Sequence, residues 1–310
     1  MWTEMTPSHA RLVGNSFKLG YRLQNYWGIS IANAFFAAEA GAGIFLIALY
    51  LNYRAGMILG LLLAGVVKPY FHVAHMGVPR KSWRAILRLD RSWVSRGAVA
   101  IAVLAVCGAA TVLDRGFALS AKLGLPPLLG TAVTILAIVA GLVVICYQGL
   151  TMASSEAFTL WASPLVPAAS VCYALTAGSL TVLTIGWERL AAPERAGLTS
   201  LSVILLLLDL IIVAGILSHA RRKSRGGAFS VELLLKGELA RQFRIPVVLT
   251  GLLLPLAIMA LAATHRTLVA LAWVAMLAGF YAFRLAMLRA AVFEPISHEW
   301  SGAIGLPGSR

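Results

Sequence analysis

Eight apolar runs, each close to the ~20 residues a helix needs to cross a bilayer, occupy most of this chain: 27–50, 56–75, 97–113, 128–149, 164–185, 198–217, 245–263 and 268–290. Only 12% of the 310 residues are charged, against about 25% in soluble domains. In hydrocarbon a backbone must satisfy its own hydrogen bonds, which leaves α-helices and closed barrels. Short strands alternating at period two, the mark of a membrane barrel, are absent from the sequence. The expected fold class is therefore all-α. Residues 1–310 read as one polytopic membrane domain of about eight transmembrane helices, with nothing outside the spans long enough for a soluble domain. Residues 1–25 carry Arg11, Lys18 and Arg22 without a short apolar core and cleavage site, so they do not read as a signal peptide.

A formal charge of +14 invites a nucleic-acid reading, but the placement of the charge argues against it. An even number of spans puts the amino-terminal tail, 76–96, 150–163, 218–244 and the carboxyl terminus on one side. Counted so, that side carries 19 of the 26 Lys and Arg residues: three, six, none, seven and three in that order. The other side carries six (Arg54, Arg115, Lys122, Arg189, Arg195 and Arg266), and Lys68 lies within a span. Lys and Arg collect in short cytoplasmic loops. Both termini are thus expected in the cytoplasm, the protein being a multi-pass component of the cell inner membrane. Anionic membrane lipid or an acidic partner surface is a secondary use of the charge, and no nucleic-acid partner is expected.

Two connections carry their own patterns. At 100° per residue, Arg80, Arg84, Arg88 and Arg91 share one face while Trp83, Ile86, Leu87, Trp93 and Val94 share another. This predicts a short amphipathic helix over about 80–96, lying in the interface. It either anchors the loop or presents its guanidinium groups to a soluble partner. The basic loop 218–244 is expected to be flexible at Gly226 and Gly227 and helical from there through Leu239. Tyr21, Tyr26 and Trp27 read as an interfacial aromatic belt. The Gly41 and Gly43 region and the Gly56/Gly60 pair read as close helix packing.

Ionisable groups inside spans are costly and default to functional hypotheses. Glu39 sits near the middle of the first run and Asp209 near the middle of the sixth. Lys68, His72 and His75, spaced by four and three, share one face of the second run as it nears the basic side. A bound quinone needs such lining: donors for its two oxygens and titratable groups for its protons. Pro69 frees the carbonyl of Gly65 and opens the helix nearby. Structural alternatives stand beside each. Lys68 can snorkel, the histidines can pack at the interface, and Glu39 or Asp209 can be held by hydrogen bonds between helices. Cys107, Cys146 and Cys172 fall in spans without metal-ligand spacing, so neither a metal site nor an iron–sulfur cluster of this chain's own is expected. Bis-His haem ligation would need His72 or His75 with His219. His265 lies across the membrane, and His9 and His298 lie in the tails. No phosphate-binding, dinucleotide or zinc-protease motif is present.

The run His75-Met76-Gly77-Val78-Pro79-Arg80-Lys81-Ser82-Trp83-Arg84-Ala85-Ile86, with Ser92-Trp93-Val94-Ser95-Arg96-Gly97, resembles the second-to-third-helix loop of the NrfD/polysulfide reductase membrane subunit family. DMSO reductase membrane anchors are similar there. Tyr147-Gln148-Gly149, Trp161 to Pro167 and Gly178 resemble the family's fourth-to-fifth-helix connection. The likeness covers most of the first 180 residues; the last 130 agree mainly in topology. It implies two four-helix bundles and a haem-free membrane anchor that binds quinone (ubiquinone or menaquinone) and passes electrons between a partner's iron–sulfur clusters and the quinone pool. The implied partners are a four-cluster ferredoxin-like subunit and a molybdenum or tungsten bis-pterin catalytic subunit. By that likeness His75 and Tyr147 are the candidates for the quinone pocket; Lys68 and His72, on the same face of the second run as His75, would join them, and the mid-span carboxylates Glu39 and Asp209 would relay protons. On the pattern of their own segment, Arg80, Arg84, Arg88 and Arg91 would dock the partner. The chain itself would hold no catalytic residue for the partner's substrate. Two other readings stay open: a proton-coupled transporter built on the same carboxylates, and a cytochrome b-type subunit.

Overall fold

Eight helices long and apolar enough to cross a membrane follow one another in the computed structural model, which describes residues 21–294. They are α1 (Ile29–Tyr50), α2 (Arg54–His75), α3 (Trp93–Phe117), α4 (Pro127–Ala153), α5 (Leu165–Ile185), α6 (Ala192–Lys223), α7 (Ala240–Leu261) and α8 (Arg266–Arg289). The expectations for the tails, which concern Arg11, Lys18, Arg310, His9 and His298, lie outside the described residues. Each expected run falls on one helix. The largest difference is α6, whose 32 residues span about 48 Å at 1.5 Å per residue, well beyond the ~30 Å of hydrocarbon. Pro193 opens it, Glu194 Oε2 accepts from the Ala191 N–H at 2.8 Å, and its last turn is the basic Arg221-Arg222-Lys223.

The helices group as two four-helix bundles. Helices α1 to α4 pack in sequence with α1 returning to α4, α5 to α8 do the same, and the bundles meet along α1 and α5. Those two are the most enclosed, 78% buried against 22% for α2. Small residues make the meeting possible. Gly43 of α1 faces the Ala174 carbonyl and Gly178 of α5 faces Gly43, so a methyl group at either would strike backbone. Gly41 and Gly60 seat α1 on α2 in the same way.

Polar tethers join one end of both bundles. A two-residue antiparallel pair links β1 (Arg22–Leu23) with β2 (Val292–Phe293). The Glu294 N–H donates to Ala157 O at 2.8 Å, and its Oε2 accepts from Thr159 Oγ1 at 3.0 Å. Ser224 Oγ donates to Thr159 Oγ1 at 2.8 Å. The segments just before α1 and just after α8, and the α4–α5 and α6–α7 connections, therefore share one face. Tyr21 is buried in this cap and Trp27 stacks on Trp161 at 5.2 Å; of the expected aromatic belt, Tyr26 alone is freely exposed. Burial and the Glu294 carboxylate raise the Tyr21 pKa above its ordinary value, which keeps its hydroxyl a donor.

The connections differ from expectation in two places. Instead of an α-helix over 80–96, a 3₁₀ helix runs from Pro79 to Ile86, turns follow, and Ser92 caps α3 by accepting from the Ser95 N–H at 3.2 Å. With three residues per turn, Arg80, Trp83 and Ile86 align, so the separate charged and aromatic faces disappear. Arg96 holds the turn instead, donating to Leu89 O and Asp90 O at 2.9 Å each. In 218–244, Gly226 and Gly227 are buried inside a helix (Arg225–Leu235) capped by Ser224. Gly227 lies against the Ala220 carbonyl, so glycine is there for a close approach rather than for flexibility.

Candidate functional site

Helix α2 is kept continuous past Pro69 by a π-helical stretch, Leu63–Val67, directly before Lys68. Such wide turns re-satisfy a ladder that proline interrupts and often mark functional positions. Lys68 is turned inward, 5% exposed, with its ammonium 5.5 Å from the centre of the Tyr147 ring. The two lie seven and six residues from the basic-face ends of α2 and α4, about 10 and 9 Å deep at 1.5 Å per residue. Tyr147 is itself buried, its ring lying over Gly97 of α3, where any side chain would collide with it.

From Tyr147 the polar groups continue inward. Gln148 is fully buried on α4. Its neighbours orient its amide: the nitrogen donates to Glu39 Oε1 at 3.3 Å and to Phe35 O at 3.1 Å, leaving the oxygen toward the Tyr147 hydroxyl at 3.4 Å. Glu39, 0% exposed on α1, has its other oxygen 2.7 Å from Arg284 Nη2 of α8. That contact is an ion pair whose angles fall short of hydrogen-bond geometry. The same nitrogen donates to Ser170 Oγ of α5 at 3.1 Å, and the guanidinium carbon lies 5.4 and 5.5 Å from the Phe280 and Phe283 ring centres. One buried chain thus runs from Lys68 through Tyr147, Gln148 and Glu39 to Arg284, crossing from one bundle into the other.

Arg284, which with Arg289 and Arg310 makes up the three basic residues counted with the carboxyl terminus, is the residue that sequence reasoning missed. It lies inside α8, 1% exposed. Moving it into the membrane leaves the basic side at eighteen against six, with the sign of the bias unchanged. The signal was present: it stands six residues inside the 268–290 run, and an intramembrane carboxylate calls for a partner of this kind.

The other expected residues are placed as follows. Asp209 is fully buried in a second cluster, its Oδ2 accepting from Thr176 Oγ1 at 2.6 Å. His72 is half-buried, with Nδ1 enclosed and without a hydrogen-bond partner, whereas His75 is exposed at the end of α2. His72 and His219 stand on helices of different bundles. Arg80, Arg84, Arg88 and Arg91 are all exposed, and Arg91 pairs only with its neighbour Asp90, at 3.0 Å. Opposite-side arginines are tied down locally, Arg115 to Leu49 O and Asn52 Oδ1 at 3.0 Å and Arg266 to Glu188 at 2.9 Å. The three cysteines are free, and among the described residues no cluster of three or more His, Cys, Asp or Glu is arranged to hold a metal ion.

No protein-family model matches this chain, and no curated protein matches it either. Fold and site together define an all-α polytopic membrane protein with a buried charged network joining its two bundles.

Proposed function

We propose that this chain is the membrane anchor and quinone-binding subunit of a multi-subunit oxidoreductase, of the NrfD/polysulfide reductase kind that its loops resemble. It passes electrons between a partner's iron–sulfur clusters and the membrane quinone pool, and a molybdenum or tungsten bis-pterin subunit carries out the substrate chemistry. The observation that carries this reading is the pairing of a buried Lys68 with Tyr147 at matching depth. A quinone oxygen needs a hydrogen-bond donor and its reduction needs protons. Lys68 and Tyr147 supply donors, His72 and His75 continue the same face of α2 toward the basic surface, and Gln148 connects Tyr147 to Glu39. Electrons enter from a partner seated on the exposed arginines of the 79–92 connection. Trp83, Ile86 and Leu87 are exposed beside them at 57%, 45% and 59%, an apolar patch suited to a protein or lipid contact.

The test is co-purification from native membranes. Iron–sulfur and pterin proteins should accompany the chain, and reversing the charge at Arg84, Arg88 and Arg91 should release them while the chain stays inserted. A chain that purifies alone, without oxidoreductase partners, removes this reading and leaves the proton-coupled transporter built on Glu39 and Asp209.

Orientation follows from charge. With 218–244 and both termini in the cytoplasm, reporters fused at Arg310 and within 186–197 should report opposite sides, Arg310 inside. Arg310 outside would move the partner to the other compartment and leave the pocket untouched.

A further inference from the structure

A cavity of 210 Å³ lies between α7 and α8 at the basic face. Its cause is local. The first part of α7 is π-helical from Arg244 to Leu253 and carries Pro246. Deeper in the membrane Gly251 and Gly279 meet backbone to backbone and pin the two helices together. One turn nearer the basic face, Ala282 is too small to fill the space beside the widened helix. Leu239, Pro246, Ala282 and Leu285 make apolar walls, and Gln242 and Arg289 form the polar end. Arg289 Nη1 donates to Gln242 Oε1 at 3.1 Å. Arg241, Arg244 and Glu238, all exposed, are near Gln242 in sequence but do not line the slot. The slot is smaller than the roughly 300–1,000 Å³ of a pocket that engulfs a compact ligand, so a slender chain suits it better than a ring system. Arg289 is the one charged residue in its lining. Basic pockets between helices at a membrane surface attract anionic headgroups.

We propose that this groove binds one anionic phospholipid, its phosphate on Arg289 beside the Gln242 amide, and one acyl chain along Pro246, Ala282 and Leu285. The site is separate from Lys68 and Tyr147 and does not depend on the quinone reading. Native mass spectrometry of the full chain in detergent, with dioleoyl phosphatidylglycerol or dioleoyl phosphatidylcholine added, tests it. The wild type should retain the anionic phosphatidylglycerol preferentially. Arg289→Gln should cut that preference about fivefold, the effect of one basic residue at an anionic surface. Ala282→Leu, which fills the slot without touching charge, should reduce retention of both lipids, with unchanged thermal melting showing that the fold is intact. Equal retention of the two lipids by the wild type overturns the proposal, as does undiminished phosphatidylglycerol retention in both variants. Displacement of the lipid by inorganic phosphate would overturn the acyl-chain part.

Discussion

Glu39→Gln should destabilise the protein more than any surface change, by about 3–5 kcal/mol, the penalty for leaving one member of a buried ion pair uncompensated. The stranded group would be Arg284, whose Nε and Nη1 already lack hydrogen-bond partners among the described residues. Arg284→Met should cost less. A carboxyl left alone can neutralise itself by taking a proton, and a guanidinium cannot; Gln148 would still donate to Glu39. The double variant Glu39→Gln/Arg284→Met should recover much of the loss, because no uncompensated charge remains, and replacing both members of a buried pair is often close to neutral. Thermal unfolding in detergent of the wild type, both single variants and the double variant closes the cycle. Additive effects would show that the 2.7 Å contact carries no coupling. Since the pair joins α1 to α8, the first sign of damage should be separation of the bundles, seen as faster proteolysis of the connection between α4 and α5.

Much of the architecture can be read from local pattern. Spans are legible because length and apolarity are set by the bilayer, not by neighbours. The glycines of α1 are legible too, since small residues in a span signal close approach; the sequence cannot say that Gly41 faces α2 and Gly43 faces α5. The motif residues of the resemblance turn out to have packing roles. Ser92 caps α3, Gly97 seats the Tyr147 ring, Gly149 lies against Pro167, and Trp161 Nε1 donates to Met287 O at 2.6 Å.

What was not legible depends on geometry that periodicity misreads. The Arg80–Arg91 face assumes 100° per residue, and a 3₁₀ turn opened by Pro79 does not keep it. Gly226 and Gly227 read as a hinge because sequence alone cannot distinguish a flexible glycine from one pressed against a carbonyl. Arg284 was hidden by a convention: basic residues near a span end are counted as topology signals, although this one is enclosed. Glu39 and Lys68 were legible as intramembrane charges, but the Tyr147–Gln148 link between their surroundings is a three-dimensional fact.

The second large effect concerns the proposed quinone site at Lys68 and Tyr147. Lys68→Met removes the ammonium over the Tyr147 ring while keeping a side chain of similar reach, so packing between α2 and α4 should survive. If Lys68 donates to a quinone oxygen, its loss costs about 1–3 kcal/mol, or roughly 5- to 150-fold in quinone affinity. On the proposed quinone reading, His75→Ala should depress quinone-linked turnover more than binding alone accounts for, because a proton-carrying side chain at the exposed end of α2 is lost as well. Tyr147→Phe should act in the same direction more mildly, since the ring still fills the seat over Gly97 and only the hydroxyl beside Gln148 goes. In each variant, electron transfer from the catalytic partner to a soluble artificial acceptor should remain, because that route bypasses the membrane. The comparison separates a damaged pocket from a damaged complex. If His75→Ala keeps normal quinone-linked turnover in an intact complex, His75 is structural. His72, half-buried one turn from Lys68 with Nδ1 enclosed and unpartnered, then becomes the histidine to replace. If Lys68→Met also leaves turnover and affinity unchanged, no quinone is bound between α2 and α4, and the buried chain from Lys68 to Arg284 serves only to hold the two bundles together.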